Sequence, residues 1–166
     1  MKAIGLYDPF FEHDSCGVGF VADIKGAASH QIVEEGITIL RNLEHRGAIG
    51  GDLKTGDGAG MLTQIPHEFF KKVCGKSGIS LPGSGMYGAG MLFMPVDKSA
   101  LKRAKSFTEE VIASKKAKLL GWREVPINPD CLGNQARSCM PSIYQVFVQY
   151  PGVNGDDLER RLYVLR

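Results

Sequence analysis

No apolar run in this 166-residue chain approaches the roughly 20 residues needed to cross a bilayer, and the opening Met-Lys-Ala-Ile-Gly-Leu-Tyr-Asp-Pro holds no stretch resembling a signal peptide. A cytoplasmic protein is expected. Charge of one sign is also missing: 20 basic against 18 acidic residues leave a net +2, too weak a field to attract nucleic acid or a membrane surface. There is no Cys-x-x-Cys pair, and His13, His30, His45 and His67 are scattered without metal-ligand spacing, so no metal site is expected. In a reducing compartment the four cysteines should form no disulfides. Cys74, Cys131 and Cys139 read as small buried apolar residues. Internal repeats and low-complexity tracts are absent too. What remains, at 43% hydrophobic residues, suffices for one domain or part of one.

The pattern mixes helices with largely apolar strands. Residues Gly17 to Ala22 read as a short buried strand. Ser29 is placed to cap a helix over about Gln31 to Glu44 that carries Val33, Ile37, Leu40 and Leu43 on one face. From His45 to Gly60 the chain holds six glycines, a composition that lets backbone approach closely around a site. Met61 to Ile65 reads as a strand, and Pro66 suits the first turn of a short helix with Phe69, Phe70 and Val73. Further along come a strand over Gly88 to Met94, an amphipathic helix from Lys98 to about Ala117 with Leu101, Ala104, Val111 and Ile112 inward, and a strand over Leu119 to Val125. Asn128 to Pro141 reads as a long loop, Ile143 to Gln149 as a strand, and Asp157 to Arg166 as a helix with Leu158, Leu162 and Leu165 on one face. That last helix has no stop signal, so the chain is expected to end inside an element of a larger domain. Layers of sheet covered by helices would bury such strands.

Two glycine motifs lead nowhere. Gly83-Ser-Gly-Met-Tyr-Gly88 fits the dinucleotide pattern G-x-G-x-x-G, but it precedes a strand and offers no helix N-terminus for a pyrophosphate. Gly75-Lys76-Ser77 looks like the end of a P-loop, yet the required upstream glycine position is Phe70. The basic residues between Lys98 and Lys118 read as a solvated helix face.

The first sixty residues are the informative ones: Glu12-His-Asp-Ser-Cys-Gly-Val-Gly-Phe-Val21, Asn42-Leu-Glu-His-Arg-Gly-Ala48 and Thr55-Gly-Asp-Gly-Ala-Gly60. Taken alone, Cys16 at the lip of a buried strand reads as a packed, inert thiol. In this order, however, the three segments resemble the class II, N-terminal-nucleophile glutamine amidotransferase domain of the glutamate synthase large subunit. The resemblance continues through Ile65-Pro-His-Glu-Phe-Phe70, Gly90-Met-Leu-Phe-Met-Pro95, Gly121-Trp-Arg-Glu-Val-Pro126, Gln145-Val-Phe-Val148 and Leu162-Tyr-Val-Leu-Arg166.

That resemblance implies an α+β fold, a four-layer αββα sandwich of the N-terminal-nucleophile hydrolase type, incomplete in this chain. It implies a leader over residues 1–15 and the N-terminal part of the amidotransferase domain over 16–166. Cys16 would be the nucleophile and, through its freed α-amine, the general base; the substrate would be glutamine. Arg46 would bind substrate, or else tie the glycine loop together. Asp57 is better read as a turn residue. The family's oxyanion-hole Asn-Gly pair belongs to a later strand, and that role is not carried onto Asn154-Gly155, which reads as a turn before a helix. FMN and an iron–sulfur cluster would reside on other synthase domains or subunits, the expected partners. The competing reading is a non-catalytic module serving assembly or regulation.

Overall fold

The computed structural model describes residues 17–47, 49, 52 and 54–166. They divide into two units, one of residues up to Thr63 together with Cys131–Ala136, the other of Gln64–Asp130 with Arg137–Arg166.

The second unit is built on a strand buried on both sides. Strand β3 (Ser142–Gln149) lies between β1 (Gly88–Met94) and β2 (Lys118–Glu124) in a three-stranded sheet, antiparallel to each neighbour. In the register, Val146 stands opposite Gly90 on β1 and Trp122 on β2. Alternation then sends Phe147 to one face and Val146 and Val148 to the other. Phe147 is fully buried with Phe70 and Cys74 from helix α2 (His67–Lys76), Ile79 and Tyr87. Its ring meets Phe70 edge-on at 5.2 Å between centroids, a favoured geometry for aromatic quadrupoles. On the opposite face, Val146 and Val148 pack with Ile112 of helix α3 (Lys98–Ser114) and with Leu162 and Leu165 of helix α5 (Gly155–Leu165). Helices thus cover both faces of one sheet. This mixed antiparallel arrangement agrees with the expected α+β class.

Cys74 is buried as expected, and its thiol is pushed upward in pKa by that burial. Cys131 and Cys139 are exposed instead. The expected long loop over 128–141 contains a short 3-10 turn (Pro129–Cys131), which Cys131 ends, and helix α4 (Asn134–Ser138), which Cys139 follows. Lys105 also departs from the solvated-face expectation: its Nζ lies 3.6 Å from the centroid of the Tyr144 ring, where the ring quadrupole attracts it.

In the first unit, helix α1 (His30–Asn42) begins where the capping residue required, with Ser29 Oγ accepting from the Ile32 amide at 3.4 Å. Of the expected face, Val33, Leu40 and Leu43 are half-buried and Ile37 is exposed; Ile32, Gly36 and Ile39 are half-buried beside them. A Cβ on Gly17 would strike Leu43, one on Gly19 Ile39, and one on Gly36 Met61. Chain before and after α1 therefore lies against that side of the helix.

The expected buried strands over 17–22 and 61–65 do not form. Among the described residues neither segment has a ladder partner, and Val18, Phe20 and Leu62 are 87%, 91% and 99% exposed. Apolar, β-branched composition favours a strand only where a neighbour takes its backbone N–H and C=O groups.

Helix α3 stops at Ser114, short of the expected Ala117. Lys116 adopts φ 60°, and its amide donates to Ala113 O at 2.9 Å while the Ala117 amide donates to Ile112 O at 3.1 Å. This paired cap normally takes glycine at the left-handed position, because a Cβ there costs about 1–2 kcal/mol. Lys116→Gly should accordingly stabilise the protein by about 1 kcal/mol. Urea denaturation should show a higher midpoint with an unchanged slope; a lowered midpoint would contradict the assignment of that strain.

Candidate active site

Cys16 lies outside the described residues. Arg46 and the glycine-rich stretch that follows it are in the first unit, and their geometry can be built from the sequence upward.

Helix α1 ends at Asn42 and passes into a 3-10 turn, Glu44–Arg46. His45 Nδ1 stands 2.9 Å from Asn42 O. A carbonyl only accepts, so this ring nitrogen carries the proton. The Arg46 amide donates to Leu43 O at 2.9 Å and the Gly47 amide to Glu44 O at 3.0 Å. The backbone of Arg46 is thus fixed to the end of α1. Its side chain is exposed and makes no hydrogen bond or ion pair among the described residues. A guanidinium presents five N–H donors in a planar fork suited to a carboxylate.

Beyond Arg46 the chain doubles back, with Ile49 bridged antiparallel to Gly56. Asp57, expected as a turn residue, sits in the bend just after that bridge. A second acidic residue, Asp52, organises the reversal. Asp52 Oδ1 accepts from the Lys54 amide at 3.1 Å and the Thr55 amide at 2.7 Å. Its Oδ2 accepts from Thr55 Oγ1 at 2.7 Å and from the Gln135 amide at 3.2 Å. Thr55 Oγ1 in turn accepts from the Ala136 amide at 3.3 Å. Two amides in the first turn of α4, which that helix cannot satisfy itself, are therefore satisfied from 81 and 83 residues away.

Gly133 completes the contact. A Cβ there would run into Asp52 Oδ2, Thr55 Oγ1 and the Thr55 amide nitrogen. Sequence reading passed over Asp52 and Gly133. An aspartate three residues before a threonine in a glycine-rich stretch is a legible turn signal, but nothing local announces that the turn caps a distant helix. The hydrogen bonds from Thr55, its hydroxyl first and then its amide, followed by those from Gln135 and Lys54, hold the Asp52 carboxyl well below the usual carboxylate range.

A family model described as "Glutamine amidotransferases class-II" matches residues 16–166. Ferredoxin-dependent glutamate synthase 2 of Synechocystis sp. is 43% identical over 156 residues, 93% of this chain and 10% of that relative. The glutamate synthase [NADPH] large chain of Bacillus subtilis is 43% identical over 167 residues, 99% of this chain and 11% of its own length. Glutamate synthase [NADH] of Schizosaccharomyces pombe is 42% identical over 172 residues, covering 99% of this chain and 8% of that relative. The chain thus spans about a tenth of the length of the curated relatives it matches.

Because the folded pKa of Asp52 lies below its usual value of 3.8, its contribution to stability is fully present above pH 3.8 and fades as pH falls toward the folded value. Asp52→Asn replaces one doubly accepting oxygen with a donor. Its Tm should be lower than wild type at neutral pH, and the gap should close progressively below pH 4. A gap independent of pH would contradict a charge-dependent role.

Proposed function

The chain belongs to the class-II glutamine amidotransferases, and from that premise we propose that it is the opening part of the glutaminase domain of a glutamate synthase, with Cys16 as nucleophile. The observation that carries this reading is the ordered set of motifs around Cys16, Arg46 and Thr55–Gly60. A family match opening at residue 16 and the glutamate synthase relatives support it.

Removal of residues 1–15 would make Cys16 the first residue of the mature domain. Its α-amine, with an ordinary pKa of about 7.7–8.0, then takes the thiol proton near neutral pH. The sulfur attacks the side-chain amide carbon of glutamine, and the proton passes to the departing nitrogen, which leaves as ammonia. Water, deprotonated by the same amine, cleaves the thioester to give glutamate. Nucleophile and base belong to one residue, so their proximity is covalent. Arg46 binds the substrate carboxylate through charge-assisted bonds. The ammonia serves amination of 2-oxoglutarate elsewhere in the complete protein.

The remainder of that protein would supply the oxyanion-hole pair and the second sheet of the four-layer sandwich. On β1, the exposed Phe93 is the kind of apolar surface such a layer covers. FMN and the iron–sulfur cluster would sit on those other domains or subunits. The donor set of the described residues does not fit the cluster. Among the described residues no group of three His, Cys, Asp or Glu could hold a metal, and the Gly83–Gly88 pattern runs into β1 rather than a helix. No step of glutamine hydrolysis passes through either group. No helix of the described residues is long and apolar enough to cross a membrane, and a reducing cytoplasm suits the exposed Cys131 and Cys139.

In the processed full-length protein, Cys16→Ala should abolish glutamine hydrolysis while 2-oxoglutarate amination from added ammonium persists. Arg46→Ala should raise KM for glutamine by about ten- to a hundred-fold, the loss expected for a hydrogen bond to a charged group. Glutaminase activity surviving Cys16→Ala would overturn the assignment.

A further inference from the structure

The contact between the Asp52 turn and residues 133–136 has no part in the chemistry just described, yet it links residues 81 and 83 positions apart in the chain. It joins three things. The first is the reversal from Ile49 to Gly56, which begins three residues after Arg46. The second is the first turn of α4, whose amides it caps. The third is Gly133, where any side chain would push the two segments apart.

We infer that Asp52 and Thr55 are positioning residues: they fasten residues 133–136 to the glycine-rich loop and so fix the stance of Arg46 toward the substrate carboxylate. The inference rests on the glutaminase reading above. Its physical basis is that a loop with six glycines has little intrinsic order. On one side Arg46 is tied to the end of α1 by backbone bonds. On the other, the loop's turn is held by a carboxylate whose two oxygens each accept two hydrogen bonds. Releasing the second anchor leaves Arg46 held from the α1 side, and the change falls on a substrate-binding group and not on the nucleophile. Ground-state binding of glutamine is then lost without a matching loss at the chemical step, so KM rises with kcat kept.

The test uses the processed full-length protein and steady-state glutamine hydrolysis. Thr55→Val keeps the shape of threonine and removes the hydroxyl; Thr55→Ser restores it; Gly133→Ala drives the segment off the pair while leaving the loop residues native. Thr55→Val and Gly133→Ala should each raise KM for glutamine about tenfold with kcat within about twofold, and Thr55→Ser should return KM to within about threefold of wild type. Amide hydrogen exchange should show lost protection at Ala136, whose amide donates to the Thr55 hydroxyl, in Thr55→Val, which keeps the result readable if Gly133→Ala does not fold. Unchanged KM in Thr55→Val, equal damage in Thr55→Ser, or kcat falling in step with KM would overturn the positioning role alone. Wild-type protein with no glutaminase activity would overturn the underlying reading and this role with it.

Discussion

Strand β3 is the element on which the larger unit depends. Both β1 and β2 hydrogen-bond to it and not to one another, so without β3 there is no sheet. Its successive residues also anchor separate cores, Phe147 on the α2 side and Val146 and Val148 on the side of α3 and α5. A strand buried on both faces tolerates no slip in register, since a shift of one residue would exchange the two faces and send each side chain into the wrong core. Small residues on the neighbouring strands allow the fit. Ile79 lies over Gly121, where a Cβ would come within 2.7 Å of its Cγ1, and Leu162 lies over Gly88.

In the unit that carries Arg46 the order comes from polar contacts instead. Helix α1 has no buried residue, and glycines at 17, 19 and 36 let the chain lie against it. The Asp52 carboxylate holds the turn in the loop after it. Such a carboxylate acts only as an acceptor when ionised, which suits a stretch of backbone rich in N–H groups and poor in side chains. Fixed anchors around a glycine-rich stretch are a common way to position a loop side chain.

The elements of the second unit were legible because each carries its own local pattern. The 3.6-residue spacing of Leu101, Ala104, Val111 and Ile112 gave α3, and the apolar run around Val146 gave β3, in both cases close to the observed bounds. Asp97 and Ser29 cap their helices as their side chains allow. Where sequence reading failed, the deciding partner was remote. Residues 17–22 and 61–65 have strand composition but no ladder partner among the described residues. Helix α4 escaped notice because its first-turn amides are satisfied by Asp52 and Thr55, more than eighty residues earlier. For the site, the motifs pointed to Arg46 and the loop and Asp57 was read as a turn residue, whereas Asp52, which also shapes the loop, was not singled out.

Everything proposed for the chemistry depends on Cys16 having a free α-amine, because an amine held in a peptide bond cannot act as a base. N-terminal sequencing of the active full-length protein, isolated from the cells that make it, tests this directly. The account predicts cysteine, followed by Gly-Val-Gly-Phe-Val, as the first residues read. Active glutaminase that still begins at Met1, or at any residue before Cys16, would contradict it.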